Sequence, residues 1–394
     1  MADRPSQGDA RRELLIELFR AGLARVDGRR CVREALRDEL PRAVWAVAIG
    51  KAAVSMALGA RDALGDSLEA LRVITPPGHG AEALIAAVPN VEILESAHPL
   101  PDERSLQAGA RLLAWLEALP STAGVLFLIS GGASALVEVP MPGVTLEQIV
   151  AIARRASAGG RDIGSLNAER ASCSQIKGGR LTARLGGREG RALLISDVPG
   201  DDPAVIGSGI LAPAPSGDAI RRQVIASIDD AMDAVVAAAR TRGLTVRRAA
   251  GRFCGDAQRL ATQFTHELAL GQTQVQVWGG ESTVQLPPMH GRGGRNQHLA
   301  LAAARLIAGY PDLALLAAGT DGIDGTSADA GAVVDGETCA RIALHGLDAD
   351  ESLRHADSGT ALEAAGALLH TGPTGTNVAD LVIGLKQVPQ RPSL

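Results

Sequence analysis

Two of the three lysines in this chain stand beside glycine in glycine-rich loops. Lys51 lies in Ala48-Ile49-Gly50-Lys51-Ala52-Ala53 and Lys177 in Gln175-Ile176-Lys177-Gly178-Gly179-Arg180, whereas Lys386, near the C-terminus, has no such setting. Lysine and arginine together number 39, so arginine serves wherever a generic surface charge is enough. A lysine kept in a loop with accessible backbone amides points to a need for a compact, flexible ammonium. That group suits phosphate, where arginine offers a planar fork. The plainer alternative is two leftover surface residues.

The segment Gly319-Thr320-Asp321-Gly322-Ile323-Asp324-Gly325-Thr326-Ser327-Ala328-Asp329-Ala330 brings carboxylates together at the end of a strand-like run. Hard oxygen ligands suit Mg²⁺ or Ca²⁺. An EF-hand is excluded, because no glutamate stands at the twelfth loop position. Carboxylates at a strand end together with two lysine loops point to Mg²⁺ carried by a nucleotide; an Asx loop capping a helix is the alternative. Three further loops can hold anions. Ser130-Gly131-Gly132-Ala133-Ser134 offers bare amides and hydroxyls at an expected helix N-terminus. Gly291-Arg292-Gly293-Gly294-Arg295-Asn296-Gln297 adds two arginine forks, with a charged hairpin tip as the alternative. Thr371-Gly372-Pro373-Thr374-Gly375-Thr376-Asn377, taken alone, reads as a plain turn.

The elements that must position these loops follow from the apolar pattern. Val44–Ile49, Val125–Ile129 and Ala192–Ile195 are continuous apolar runs, expected for parallel strands covered on both faces, and each ends at a polar loop. Short strands are expected at Arg72–Thr75, Val91–Leu94 and near Leu244–Arg247. Helices are expected over 11–40 and 219–241. A later unit starts near Gln274, with a strand to Trp278, a hairpin-like Gly279-Gly280-Glu281-Ser282-Thr283-Val284, a helix to about 308 and a strand Leu313–Ala318. The fold class is therefore α/β, with domains placed at 1–245 and 270–390.

Composition sets the outer limits. Of the 394 residues, 46% are hydrophobic and only 2% aromatic, so the core must be built from Ala, Val, Leu and Ile. The 46 glycines have no collagen-like period and cluster at strand–helix junctions. A net charge of −5 and no basic stripe interleaved with aromatics argue against nucleic-acid binding. The scattered Cys31, Cys173, Cys254 and Cys339 show no metal or disulfide spacing. The N-terminus does not read as a signal peptide, and the most apolar stretch, Leu299–Ala318, is interrupted by Arg305, Pro311 and Asp312. A soluble, cytoplasmic protein without membrane partners is expected.

Familiar nucleotide motifs are missing. Lys51 is followed by Ala52, so there is no Walker GxxxxGK[ST], and no GxGxxG follows the first strand. There is no GxSxG elbow. His98, in Ala97-His98-Pro99-Leu100-Pro101-Asp102, reads better as a structural or substrate-orienting group than as a general base.

Taken in order, these motifs form a family pattern. It runs through Gly50-Lys51-Ala52-Ala53, His98-Pro99-Leu100-Pro101-Asp102, Ser130–Ser134, Leu166-Asn167, Ile176-Lys177-Gly178-Gly179-Arg180-Leu181 and Ile195-Ser196-Asp197-Val198-Pro199-Gly200-Asp201-Asp202. It continues through Gly279–Thr283, Gly291–Gln297, Thr320–Thr326 and Thr371–Val378. From about residue 12 to 385 the chain resembles the class II glycerate kinases, glycerate 2-kinases with a C-terminal MOFRL domain. The resemblance implies a Rossmann-like N-terminal domain with a largely parallel sheet and a smaller α/β MOFRL domain, the active site lying in the cleft between them. It implies ATP- and Mg²⁺-dependent phosphorylation of D-glycerate, or a closely related small hydroxy acid, to 2-phosphoglycerate. A homodimer is left open.

Carried over by position, Lys51, Lys177 and Asp197 are the catalytic candidates, with Asp197, Asp321 and Asp324 as metal ligands. Ser130, Gly131, Gly132, Ser134, Asn167, Arg170, Arg180, Glu281, Arg295, Asn296, Thr374 and Asn377 are the candidates for binding substrate or nucleotide. Lys51 or Lys177 would neutralise the moving phosphoryl group, Asp197 would orient the acceptor hydroxyl, and Arg170, Arg180 or Arg295 would grip the carboxylate. Lys177→Ala is expected to lose turnover and keep its fold. Two departures stand out. Glu169-Arg170-Ala171-Ser172-Cys173-Ser174 replaces a basic run of the type V-R-K-H-L-S, and Ser208-Gly209-Ile210-Leu211 replaces S-G-P-T. Two rival readings are a hydroxypyruvate reductase, which needs a nicotinamide site, and a non-catalytic binding protein on the kinase scaffold.

Overall fold

The apolar runs before Gly50, Ser130 and Ser196 are buried strands. The computed structural model describes residues 7–37, 43–80, 84–85, 88, 90–157, 163–214, 217 and 219–387. They divide into two units. The first comprises Val26–Ser227 and Gly375–Val378; the second comprises the described parts of Met1–Arg25, Ile228–Thr374 and Ala379–Leu394.

In the first unit, β1 (Val44–Ile49), β2 (Leu68–Thr75), β3 (Val91–Glu95), β4 (Gly124–Ile129), β5 (Gly190–Ile195) and β6 (Ile220–Ala226) form one sheet. Its order is β3-β2-β1-β4-β5-β6, and every pairing is parallel. Val47, Ile49, Phe127, Ile129 and Leu194 pack there with Leu112 and Leu116 of the helix Glu103–Ala118. The strand order reverses between β1 and β4, so the loops after these two strands emerge side by side. That switch point is where open α/β sheets bind ligands. The loops are bonded to each other: the Lys51 amide donates to the Gly131 carbonyl at 2.9 Å, and the Ala52 amide donates to Ser130 Oγ at 3.0 Å.

Two expected helices are corrected. Residues 220–226 form β6, and the helix begins only at Ile228 and runs to Thr241. Ile220 pairs with Gly190 and Val224 with Leu194, so the open edge of β5 recruits a segment whose local pattern is ambiguous. The N-terminal helical stretch is two helices, Gln7–Arg25 and Gly28–Ala35. They are separated at Asp27, whose Oδ1 accepts the Arg30 amide at 2.8 Å as an N-cap. Residues 38–40 of that stretch, like 215–216 of the Pro-rich stretch 211–216, lie outside the described residues.

The second unit is built on a mixed sheet of β7 (Val246–Arg248), β8 (Phe253–Asp256), β9 (Val275–Thr283), β10 (Leu313–Gly319), β11 (Gly331–Asp335), β12 (Leu368–Leu369) and β13 (Asp380–Lys386). The order is β12-β11-β10-β13-β9-β7, with β8 also pairing β9. β7 and β8 run parallel to β9, and the other pairings are antiparallel. The expected hairpin at Gly279–Val284 is instead the second half of β9. A Cβ on Gly280 would stand 2.1 Å from the Phe253 carbonyl oxygen, so glycine here allows β8 to approach rather than marking a turn. Phe264 stacks on Trp278 with centroids 4.7 Å apart in the core.

The helix Gln7–Arg25 belongs to this second unit, as do residues 228–245, where the sequence reading draws one domain over 1–245. The physical reason is an apolar stripe, Leu15, Leu18 and Phe19, that is fully buried. Gly22 lets the helix close on Ile228–Thr241: a Cβ there would be 3.1 Å from Val235 Cγ2. Arg25 pairs with Asp230 at 2.8 Å beside it. Among the described residues, no helix is long and apolar enough to cross a membrane.

Candidate active site

At the switch point of the first unit, Gly131 is the centre of a tight polar knot. A Cβ on Gly131 would lie 2.1 Å from both Asp197 Oδ2 and Asn377 Nδ2, and Asn377 Nδ2 donates to Asp197 Oδ2 at 3.2 Å. Asp197 is delivered by the loop after β5. Asn377 arrives on Gly375–Val378, which is anchored by the Gly28 amide donating to the Gly375 carbonyl at 3.2 Å. Next in the chain, Gly132 faces His98 and Lys51: its Cβ would be 3.2 Å from His98 Nε2 and 3.4 Å from Lys51 Cγ. Lys51, Asp197, Asn377 and His98 thus gather around two glycines. The helix that follows, Ala133–Leu136, is a single turn. The helix-dipole part of the expected anion site therefore falls away, since a macrodipole needs aligned turns. Ser130 is fully buried, and its hydroxyl serves the Ala52 amide.

Beside Gly132 opens a cavity of about 200 Å³ whose lining includes His98, Ser134, Glu138, Arg170, Cys173 and Lys177. Lys177 is only 2% exposed. Its ammonium forms an ion pair with Glu138 Oε2 and donates to the Ser134 carbonyl at 3.0 Å. Glu138, itself 2% exposed, accepts from Ser174 Oγ at 2.5 Å and from the Val139 amide at 2.9 Å. Burial pushes the Lys177 pKa down, and the Glu138 carboxylate pulls it back up. The lysine read as a phosphate-facing point charge is therefore committed to an internal pair. Arg170 is different. Burial lowers its pKa too, yet a guanidinium stays charged near neutrality. One of its nitrogens, Nη1, donates to Ser208 Oγ at 3.1 Å. With Lys177 and Glu138 cancelling, Arg170 leaves the cavity net positive. Arg180 is not part of this lining: its Nη1 donates to the carbonyls of Ala171, Ser174 and Lys177, bracing the loop. Asn167 sits one helical turn before Arg170 on Ile163–Ser172 and is also absent from the lining.

In the second unit, most of the expected binding groups are engaged with one another. Arg295 forks onto buried Asp380 at 2.6 and 2.9 Å and reaches Glu281 at 2.8 Å. Burial works against its charge, but Asp380 more than compensates and raises its pKa. Arg295, one of the three arginines expected to grip the carboxylate, is thus engaged with Asp380 and Glu281, the latter a candidate for binding substrate or nucleotide. Asp324, 1% exposed, accepts from the Asn296 amide at 3.1 Å, Asn296 Nδ2 at 3.3 Å and the Gln297 amide at 2.8 Å. It seals the N-terminus of the helix Arg295–Leu306, so the expected metal ligand Asp324 and the amide of the expected substrate contact Asn296 are engaged with each other. Asp321 Oδ1 accepts the Ile323 amide at 3.1 Å, and the Thr374 amide donates to the Asp321 carbonyl at 3.3 Å, closing the same loop.

Burial pushes the Asp324 pKa up to about 7, against the downward pull of the helix amides. The folded state therefore holds a proton that the unfolded chain releases near pH 4. This group's contribution makes stability fall as pH rises from about 4 to 7, then level off. Asp324→Asn is expected to flatten that part of a plot of urea midpoint against pH. An unchanged slope would mean that the carboxylate stays ionised throughout.

Comparison with known proteins decides the family. Residues 14–240 match the family model described as a domain of unknown function (DUF4147), and 274–380 match the MOFRL family. The D-glycerate 2-kinase of Thermotoga maritima is 34% identical, the alignment covering 95% of this chain and 98% of that protein. The chain belongs to the glycerate kinase family with a MOFRL domain. An Agrobacterium vitis protein bearing a hydroxypyruvate reductase label is 33% identical over 85% of this chain and 97% of its own. A crystal structure of glycerate kinase from Thermotoga maritima superposes with a TM-score of 0.83 at 32% identity, covering 96% of this chain and 100% of that one.

For this glycerate kinase family member, the fit to Mg²⁺ turns on Asp197. Mg²⁺ is commonly held by one or two carboxylates with the substrate's phosphates completing its shell. The Asp197 carboxylate, lodged where a side chain on Gly131 would otherwise sit, fits that donor set. Asp324 does not, because helix amides occupy both of its oxygens. Among the described residues there is no group of three or more His, Cys, Asp or Glu side chains that could hold a metal. Sequence reasoning missed Glu138 as the partner of Lys177; its one signal is a lone acid between apolar residues in Ala135-Leu136-Val137-Glu138-Val139. It gave no sign of the lining helix Leu146–Ser157.

Proposed function

We propose that the protein is an ATP- and Mg²⁺-dependent glycerate 2-kinase whose acid-binding site is the cavity of the first unit. The observation that carries this reading is the net positive charge that Arg170 leaves, among the described residues, in a small cavity lined by His98 and next to Lys51 and Asp197 at the switch point. Phosphoryl transfer needs positioning and fixed charge more than covalent chemistry. Arg170 grips the carboxylate. Asp197, held by Asn377, orients the acceptor hydroxyl and takes its proton, and Lys51 neutralises charge on the transferred group. The Lys177–Glu138 pair positions the wall that carries Ser134. Mg²⁺ bound through Asp197 would neutralise phosphate oxygens.

Incubation with Mg-ATP and D-glycerate, followed by phosphorus NMR, tests the reading: 2-phosphoglycerate is expected, and no phosphorylated product on any small hydroxy acid would defeat it. Arg170→Gln is expected to raise KM for glycerate by roughly tenfold to a hundredfold, the value of a charge-assisted hydrogen bond, with a smaller change in kcat. An unchanged KM in steady-state assays would place the carboxylate elsewhere. The reductase label of one relative and a strand order shared with dinucleotide-binding sheets favour a second reading. The turn after β1 lacks the glycine fingerprint it needs, and NADH oxidation with hydroxypyruvate separates the two.

A further inference from the structure

We infer that the cavity accepts 2,3-dihydroxy acids carrying a short alkyl group on C3, in addition to glycerate itself. This rests on the proposed seat of the carboxylate at Arg170. The cavity is lined by two kinds of group. Arg170, Ser134, His98 and the Lys177–Glu138 pair supply polar atoms. Ile149, Ile152 and Ala153 line it as well, spaced i, i+3 and i+4 on the helix Leu146–Ser157, so a single helix face supplies an apolar wall. Pro99 and Pro101 continue the apolar lining.

Glycerate is polar at every carbon and gives such a wall nothing to bury. The space is also generous: about 200 Å³ corresponds to roughly seven waters at about 30 Å³ each. An alkyl group on C3 would displace water from the isoleucines while leaving the carboxylate and both hydroxyls unchanged. The chemistry is the same transfer. The oxygen–phosphorus bond to the acid's hydroxyl forms as the γ-phosphorus–bridging oxygen bond breaks, releasing ADP, and the hydroxyl proton passes to Asp197 or water.

The test gives the full chain Mg-ATP with glycerate or with 2,3-dihydroxybutanoate, which is glycerate with one methyl on C3, and follows the products by phosphorus NMR. The methylated acid is expected to be turned over with a kcat/KM at least equal to that of glycerate. In Ile152→Asn the ratio of the two kcat/KM values is expected to drop by about tenfold or more, in the range one methylene contributes in an apolar pocket. Turnover of glycerate with the methylated acid below about one hundredth of it overturns the inference, as does an unchanged ratio in a folded Ile152→Asn. If that variant does not fold, Ala153→Leu, which shrinks the cavity, must lower the same ratio, and an unchanged ratio again overturns it. Turnover of neither acid means that the kinase reading is what failed. Calorimetry then decides the wall: tighter binding of the methylated acid than of glycerate upholds it, and equal or weaker binding does not.

Discussion

Gly131→Ala is expected to lower turnover by about a hundredfold or more while far-UV circular dichroism stays unchanged. The added Cβ would stand 2.1 Å from Asp197 Oδ2 and from Asn377 Nδ2, far inside van der Waals contact. The backbone itself tolerates alanine, because Gly131 is not among the positive-φ positions. The cost therefore falls on the carboxylate, which must move by about an ångström, a displacement that can cost about a hundredfold in an oriented transfer. Near-normal kcat in this variant would remove Asp197 from the chemistry.

The second large effect concerns stability, and it reverses the result expected of Lys177→Ala from sequence. Removing the ammonium strands the Glu138 carboxylate in a site that is 2% exposed. Breaking one side of a buried pair costs about 3–5 kcal/mol, so the single variant is expected to unfold at clearly lower denaturant than wild type. The double variant Lys177→Met, Glu138→Leu keeps the volume and removes both charges, and its midpoint should recover most of that loss. Urea titrations of the three proteins check this, and turnover is meaningful only in the variants that remain folded. If Lys177→Ala were as stable as wild type, the Glu138 pair would not be holding the cavity wall.

Much of the candidate site was legible because its parts are local. Gly50-Lys51 and Gly131-Gly132 announce themselves at the ends of apolar runs, and a parallel strand order brings such ends together. The candidates that went astray are those whose charges found partners far along the chain. Arg295 reads as a cleft-lining fork until Asp380, 85 residues away, takes both of its arms. Asp324 reads as a metal ligand until the helix Arg295–Leu306 places its amides against both oxygens. Arg180 reads as a grip until the carbonyls of Ala171 and Ser174 claim it. In each case the residue type declares a capacity, and the fold decides who uses it.

The amino-acid order alone settles the α/β class, the parallel strands beside the glycine loops and the family, because those depend on periodicity and on motifs contiguous in the chain. Tertiary structure alone decides that Ile220–Ala226 pairs as a strand, that the N-terminal helix joins the second unit, and that Lys177 is paired with Glu138 in the cavity wall. Burial and neutralisation are properties of neighbours in space, and no spacing along the sequence records which carboxylate will stand beside which cation.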